Sequence, residues 1–180
     1  ATATTLRDTR ECWVVVTANP DGLWYTALGA TGALAPYRWR KNGNPSDGVV
    51  WPPRRDWQAS ASHYGIDLIR AFGVGGGLGG PYDSSSPTNR YYIGPAPDTQ
   101  PEALALQSLV ANVQPHLLIS LHSFGNQRVL SPWAWTTASP PNATALAALG
   151  SQIAALIGYT HGRFGSSYYI AHGTFEDWAY

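Results

Sequence analysis

The polar residues best placed for chemistry follow two apolar runs of the sequence. Residues 19–22 come after the apolar run at residues 12–16, and residues 122–126 come after the apolar run at residues 116–121. Ligands of an open α/β sheet gather at the carboxyl ends of its strands, so these two polar segments are the candidate site. The imidazole of His122 is a good metal ligand. A single histidine at the end of an apolar run is nevertheless more often structural.

The other histidines and the glycine-rich stretch do not add a site. His63, His116, His161 and His172 do not pair at HxxH or HxxE spacing, and we interpret them as solvated or structural. No GxGxxG pattern opens a helix, and the glycines of residues 73–81 lack the strand-to-helix context of a phosphate loop. The motifs therefore indicate neither a second metal site nor a phosphate loop.

Three apolar stretches are predicted strands. Residues 12–16 form a continuously apolar, β-branched run that should be a buried strand, stopped by a tight turn at residues 19–22. Residues 116–123 have the composition of a central strand in a covered sheet. A third strand is expected within the aromatic stretch at residues 159–170. The segment at residues 29–94, between the first two of these stretches, is rich in Gly, Pro, Ser and Asn and is predicted to be mostly loop.

Two helices are predicted between these strands. Pro101 begins an apolar pattern that indicates a helix over residues 101–112. A second helix should cover residues 143–157 and end at Gly158. This order of elements predicts an α/β fold in which helices pack on a central, mostly parallel or mixed sheet, as a single domain over residues 1–180.

The composition excludes several classes of protein. The chain has 180 residues, 44% of them apolar and 12% charged, which is typical of a packed globular domain. Eleven basic and eleven acidic residues give zero net charge without charged blocks, so neither a nucleic-acid partner nor a membrane partner is expected. Cys12 is the single cysteine, so it cannot form an internal disulfide, and we predict a buried, inert thiol.

Six segments in order carry a resemblance to a known family. They are NPDG at 19–22, WRKN at 39–42, GIDLIR at 65–70, YIGPAPDTQPE at 92–102, ISLHSFGN at 119–126 and GTFEDWAY at 173–180. Together they resemble the zinc metallocarboxypeptidases of the carboxypeptidase A/B type, over essentially the whole chain. The resemblance implies a carboxypeptidase-like fold, one zinc ion, and removal of C-terminal residues from peptides and proteins.

The resemblance also implies roles for individual residues. His122 matches a zinc ligand, and Arg40 matches the arginine that polarises the scissile carbonyl and stabilises the oxyanion. Arg70 matches the arginine that binds the C-terminal carboxylate of the substrate, a task suited to a planar guanidinium. Tyr169 matches a mobile tyrosine that closes over this carboxylate. Its neighbour Tyr168 could be mistaken for it.

Three further residues concern substrate binding. Ile69 stands where the family has an asparagine that bonds the substrate carboxylate, and its loss should cost on the order of 1.5 to 3 kcal/mol of binding free energy. Phe124 lies in the ISLHSFGN segment and is a candidate substrate-binding residue. Glu176 matches a specificity-pocket position at which an acidic residue indicates a preference for basic C-terminal side chains. A surface position for Glu176 is the alternative.

Two family features lie outside the matched segments. The family takes two zinc ligands from an HxxE motif before NPDG, and its general base is a Glu beyond DWAY, but here no His precedes His63 and the sequence ends at Tyr180. We therefore expect an incomplete zinc site and an inactive chain on its own. Two hypotheses stay open: part of a larger enzyme, or a non-catalytic module that binds peptide C-termini or has a structural or interaction role. Because family members are commonly secreted, the resemblance also implies an extracellular location.

Overall fold

Helices and a small parallel sheet form the described fold. The computed structural model describes residues 3–30, 40–43, 65–75, 77–123 and 127–180. Its helices are α1 (Ala3–Thr9), α2 (Pro20–Ala30), α3 (Pro101–Val113), α4 (Ala143–Ile157), α5 (Phe164–Ser167) and α6 (Phe175–Ala179), with a 3₁₀ turn at Leu68–Arg70. The strands are β1 (Arg128–Ser131) and β2 (Thr160–Arg163). The predicted α/β class is confirmed.

The sheet and its connecting helix form a βαβ unit. Strands β1 and β2 pair in parallel, in a register that places Arg128 opposite Thr160 and Ser131 opposite Arg163. Parallel neighbours need a crossover connection, and α4 supplies it while packing on both strands. Strand β2 lies within the predicted stretch at residues 159–170 but is shorter, because α5 begins at Phe164.

Local signals correctly predict α3 and α4. Pro101 occupies the first turn of α3, where its missing N–H costs no hydrogen bond. Helix α4 ends at Gly158, whose φ of 71° is in the left-handed region and whose N–H donates to the Ala154 carbonyl. Both helices cover the predicted ranges, α3 with one further residue.

The tight turn predicted at residues 19–22 is wrong, because α2 begins at Pro20. The Asn19 side-chain oxygen accepts the Gly22 N–H at 2.9 Å, as a helix N-cap does. Proline at the first helical position and Asp21 in the first turn are also favourable at a helix N-terminus. The same four residues that suggest a turn therefore contain a complete helix start.

The strands predicted at residues 12–16 and 116–123 are also absent from the described structure. A strand requires a neighbour that pairs with its backbone groups, and neither segment has such a neighbour among the described residues. Val16 is 92% exposed and Leu121 is 91% exposed. Cys12 is exposed as well, so the prediction of a buried thiol is wrong, because no described element covers this run.

An aromatic cluster forms the core beside the 3₁₀ turn. Buried Phe72 packs against Phe175 and Trp178 of α6, with ring centroids 5.2 Å and 6.2 Å away. Ala71 and Ala103 are the other buried residues of this cluster, and Ala103 belongs to α3. The core therefore fixes the 3₁₀ turn relative to α3 and α6. No helix in the described ranges is long and apolar enough to cross a membrane.

Candidate functional site

Buried hydrogen bonds anchor the short segment that carries Arg40. The Asn42 amide donates to Gln100 at 2.9 Å, and its oxygen accepts the Ile66 N–H at 2.9 Å. The Asn19 amide reaches the carbonyls of Arg40 and Lys41 at 3.2 Å and 3.1 Å. Residues 40–43 are therefore held from α2 on one side and from the start of α3 on the other.

Arg40 pairs with a buried carboxylate and stays partly open to solvent. Its Nε lies 2.5 Å from Asp67 Oδ2, and its side chain is 26% exposed while that of Asp67 is 1% exposed. Burial alone would lower the pKa of Arg40, but the carboxylate of Asp67 raises it above its ordinary value. The guanidinium also lies 5.1 Å from the Tyr91 ring centroid. Arg40 is thus a permanently charged, oriented donor.

Arg70 ends the 3₁₀ turn and its side chain is completely buried. The Asp67 side chain begins this turn by accepting the Ile69 N–H at 3.3 Å. Arg70 Nη1 donates to the Ile69 carbonyl at 3.3 Å. Its Nε lies 2.8 Å from Asp83 Oδ1 without the alignment of a hydrogen bond, so this contact is an ion pair. Nη2 is buried and has no hydrogen-bond acceptor among the described residues.

The Asp83 carboxylate joins Arg70 to His172. Its Oδ2 accepts the His172 Nδ1–H at 2.6 Å and the Gly80 N–H at 2.7 Å. The Asp83 side chain has no solvent exposure, and that of His172 is 13% exposed. This agrees with the interpretation of His172 as a structural residue, but it places that residue directly behind Arg70.

Tyr169 lies in an aromatic cluster, lines the open cleft and is close to Arg70. Its ring contacts Tyr82 edge-on at 4.9 Å and Phe164 at 5.1 Å between centroids. Burial raises the pKa of Tyr169, and the nearby charge of Arg70 offsets only part of this effect. The phenol is therefore a neutral hydrogen-bond donor at physiological pH. The neighbouring Tyr168 also lines the cleft and packs on Phe164 and Tyr169, and the Arg128 guanidinium lies 5.6 Å from its ring centroid.

His122 and Glu176 form an ion pair. His122 Nε2 lies 3.0 Å from Glu176 Oε1 and 3.2 Å from Ser120 Oγ. The hydrogen bond to Glu176 raises the pKa of His122 above its ordinary value. For Glu176, burial alone would raise the pKa, but His122 lowers it below the ordinary value. Both shifts favour a charged pair with a proton on Nε2.

One open cleft of about 1310 Å³ brings most of the predicted site residues together. Arg40, Ile69, His122, Tyr169 and Glu176 all line it. Glu176 is therefore in the cleft wall, with its side chain 23% exposed.

Two of the predicted site residues are not seen in the cleft wall. Arg70 is buried and is not among the cleft-lining residues; the Tyr169 phenol lies close to it. Phe124 lies outside the described residues. The described cleft therefore carries five of the seven residues that the sequence singles out, and Arg70 stands behind it.

Sequence reasoning missed the residues that hold the two arginines. Asp67 could have been identified from the sequence, because it stands three residues before Arg70 in the GIDLIR segment. Asp83 offered no signal, because YDSSSP reads as an ordinary polar turn. His172 is 89 positions from Asp83, and spacing along the chain cannot show such a contact.

The described residues do not fit a catalytic zinc ion. Such an ion needs three protein ligands plus water. No group of three His, Cys, Asp or Glu side chains that could hold a metal occurs within the described ranges. Among the described residues, the carboxylate bonded to His122 is that of Glu176, and it already occupies Nε2.

The family follows from comparison with known proteins. The model of the zinc carboxypeptidase family matches residues 1–180, and the chain therefore belongs to the zinc carboxypeptidase family. The family is one of peptide-hydrolysing metalloenzymes, as the resemblance of the six segments implied.

Individual relatives agree with this assignment. Carboxypeptidase B of Rattus norvegicus is 29% identical over 97% of this chain and 39% of its own length. Carboxypeptidase A1 of Mus musculus is 29% identical over 99% of this chain and 39% of its own length. The crystal structure of thrombin activatable fibrinolysis inhibitor superimposes with a TM-score of 0.74 and 25% identity, over 98% of this chain and 41% of that one. The chain thus spans about two fifths of these relatives.

Proposed function

We propose that this chain provides the substrate-binding cleft of a zinc metallocarboxypeptidase that removes C-terminal residues from peptides and proteins. The observation that supports this most directly is the meeting of Arg40, Tyr169 and Glu176 in one cleft, with Arg70 close to Tyr169. A free C-terminus is an anionic group that needs oriented cationic and neutral donors, which two arginines and a protonated phenol supply. The partners of this cleft are peptide and protein C-termini, in an extracellular setting.

Arg40 and Arg70 would contribute differently to binding. Arg40 is partly exposed and lines the cleft, so it can donate to a peptide carbonyl without rearrangement. Arg70 has a buried Nη2 without a hydrogen-bond acceptor among the described residues, which suits it to donate to a carboxylate oxygen. Tyr169 lies next to this group and would cover the bound carboxylate.

Glu176 supports a preference for basic C-terminal residues. It lines the cleft, and its lowered pKa keeps it ionised at neutral pH. A substrate Lys or Arg side chain would compete with His122 for this carboxylate and gain a charge-assisted hydrogen bond.

Zinc belongs to the proposal for the family activity, but no hydrolytic step is assigned to this chain. The described residues supply His122 and do not complete a ligand set. What they can do is bind a C-terminus, fix its carboxylate and select its side chain.

A second function is favoured by Ile69. This residue lines the cleft where the family has an asparagine, and its side chain cannot donate to a substrate carboxylate. A non-catalytic carboxypeptidase-like module that binds peptide C-termini, or that has a structural or interaction role, would tolerate such a loss more readily than an efficient peptidase.

Binding and hydrolysis of matched peptides test both functions. Fluorescence anisotropy would compare peptides ending in Arg with a free carboxylate, Arg with an amide, and Leu with a free carboxylate. We expect the free Arg peptide to bind about tenfold more tightly than the amide, as loss of a charged hydrogen bond implies. Glu176→Gln should remove the preference for Arg over Leu, while Glu11→Gln, in an exposed segment away from the cleft, should not.

The outcomes separate the two proposals. Zinc at one equivalent together with release of the C-terminal residue, detected by mass spectrometry, supports the peptidase. Carboxylate-dependent binding without release in zinc-containing buffer supports the binding module for this chain. Equal affinity for free and amidated peptides would contradict both the peptidase and the module that binds peptide C-termini, and would leave only the structural or interaction role.

A further inference from the structure

A buried carboxylate stands behind the arginine that is proposed to bind the peptide C-terminus. Asp83 has no exposed side-chain surface, and it contacts Arg70 with one oxygen and His172 with the other. Ionised groups leave water at a large energetic cost, which is recovered only when charged and hydrogen-bonded partners surround them. Three such partners surround Asp83: the Arg70 guanidinium at 2.8 Å, His172 Nδ1 at 2.6 Å and the Gly80 N–H at 2.7 Å.

The two loops that meet at Asp83 are tightly fitted. A Cβ added to Gly80 would lie 2.2 Å from the Ile170 carbonyl oxygen, and one added to Gly79 would lie 2.9 Å from the His172 ring. Residues 79–83 and 170–172 can approach this closely only because two glycines remove the side chains between them. The Asp83–His172 hydrogen bond therefore lies between two closely packed loops and has little freedom to shift.

We propose that Asp83 and His172 are positioning residues for Arg70, holding its guanidinium in the orientation that binds a peptide C-terminal carboxylate. This inference rests on the proposed binding of C-termini by the cleft. Asp83 acts on Arg70 directly, and His172 acts through Asp83.

The arrangement of the Arg70 donors explains why orientation matters. A guanidinium carries all its N–H groups in one rigid plane, so a rotation of that plane redirects every donor at once. Nη1 is held by the Ile69 carbonyl at 3.3 Å and Nε by the charge of Asp83. These two contacts fix the plane and direct the remaining buried Nη2, which finds no acceptor in the described part of the chain.

The packing of these two loops also connects Arg70 with Tyr169. Tyr82 is the neighbour of Asp83, and its ring contacts the Tyr169 ring edge-on with 4.9 Å between centroids. His172 follows Tyr169 by three positions on the other loop. One of the loops that meet at Asp83 therefore carries Tyr169 and the other carries a contact to its ring, so a shift of the Asp83–His172 pair would move the covering tyrosine together with the arginine.

Paired substitutions at His172 test this inference. His172→Ala removes the donor to Asp83, whereas His172→Asn keeps an N–H at about the place of Nδ1. The readout is the affinity ratio between a peptide ending in free Arg and the same peptide with an amide, since an unspecific loss of structure lowers both affinities. We expect His172→Ala to lower the ratio about tenfold and His172→Asn to recover most of it.

Asp83→Asn separates orientation from simple charge. It removes a negative charge next to Arg70, so an Asp83 that only competed with the peptide carboxylate would make the free peptide bind more tightly when removed. A positioning role predicts the opposite, a lower free-to-amide ratio. Asp98→Asn is the matched control, because Asp98 also accepts a loop N–H, that of Gly73, but does not contact Arg70 or His172.

A spectroscopic measurement complements the affinities. In protein labelled with ¹⁵N-histidine, the free Arg peptide should shift the His172 imidazole signal although His172 is behind Arg70. Asp83→Asn should abolish that shift. An unchanged His172 signal on saturation of the wild-type chain would contradict the link.

The results distinguish this inference from the proposed function. A wild-type chain that does not prefer the free carboxylate overturns the proposed function, and the inference falls with it. A wild-type chain that prefers the free carboxylate, with His172→Ala retaining the full preference, leaves the proposed function intact and overturns the positioning role alone.

Discussion

Arg40 and Arg70 both stand beside a buried aspartate, but solvent reaches only one of them. Arg40 keeps 26% of its side-chain surface exposed, whereas Arg70 and Asp83 are completely buried. Removing one member of a buried ion pair leaves an uncompensated charge, whereas a partly exposed partner can be solvated by water. In urea unfolding, Asp67→Asn should therefore lower the free energy of unfolding less than Asp83→Asn does, even though Asp67 also begins the 3₁₀ turn.

The ionisation of Tyr169 provides a pH-dependent prediction. Burial raises its pKa above the ordinary value of about 10 for tyrosine, so the phenolate is disfavoured in the folded chain. The sign follows from linkage: this stability contribution is complete below the unfolded pKa and is lost as pH rises through the folded pKa. The difference in tyrosinate absorbance between wild type and Tyr169→Phe should thus show a step above pH of about 10. A step at or below the ordinary value would contradict the buried phenol.

Side chains in the cleft could be predicted only where a short segment carried the signal. Arg40, Arg70 and Glu176 stand in recognisable segments, so their candidacy required no structure. Asp83 and His172 could not be found in this way, because their contact depends on how two distant loops pack. Local sequence reports a residue type but not the charge that folding places beside it.

At the scale of elements, Asn19 links α2 to the segment that carries Arg40. Its oxygen caps α2 and its amide binds two carbonyls of residues 40–43. Asn19→Ala should lower the free energy of unfolding by about 1 to 2 kcal/mol, since both functions are lost. Asn19→Asp keeps the capping oxygen and loses only the amide donors, so urea unfolding should place it between Ala and wild type. Equal stability of Ala and wild type would exclude this link.

Asp177 makes a comparable link between α6 and residues 133–135. Its carboxylate accepts the N–H groups of Trp133, Ala134 and Trp135 at 2.6, 2.7 and 3.3 Å. Asp177→Ala leaves three backbone donors near the core without this acceptor, so we expect a loss of about 3 kcal/mol or more in urea unfolding. The exposed control Asp8→Ala should change stability by less than about 1 kcal/mol. A similar small change for Asp177→Ala would show that water replaces its oxygen.

The elements differ in how far the sequence foretells them. Helices α3 and α4 are set by local chemistry, a proline at one end and a left-handed glycine at the other. Strands depend on a partner elsewhere in the chain, which is why the apolar runs at residues 12–16 and 116–123 were wrongly predicted as paired strands. Strand β1 was not predicted, because its four residues have no conspicuous apolar pattern of their own. They form a strand by pairing with β2, which follows α4 in the sequence.

At the scale of the whole molecule, two apolar runs of the described chain face solvent. Val14 and Val16 are 79% and 92% exposed, and Ile119 and Leu121 are 60% and 91% exposed. Exposed apolar runs with unpaired backbone groups favour association with other chains. The average mass of the chain in solution should therefore rise with protein concentration.

Charge introduced into one run tests this expectation. Val14→Lys and Val16→Lys together should lower the light-scattering mass at high protein concentration, because lysines at an exposed edge oppose strand pairing. The control Thr17→Lys adds charge at an exposed polar position in the same segment. An unchanged mass in the double variant would show that residues 12–16 do not mediate association.

The rate at which the single lysine of the sequence, Lys41, is chemically modified can report on opening of the site. It is only 2% exposed, its Nζ donates to the Pro87 carbonyl at 2.6 Å, and it lies 5.3 Å from the Tyr92 ring centroid. An amine-acylating reagent can reach it only when residues 40–43 open, so the rate of Lys41 modification measures how often the Arg40 segment detaches. Peptide that closes the cleft should slow this reaction, and Asn19→Ala should accelerate it.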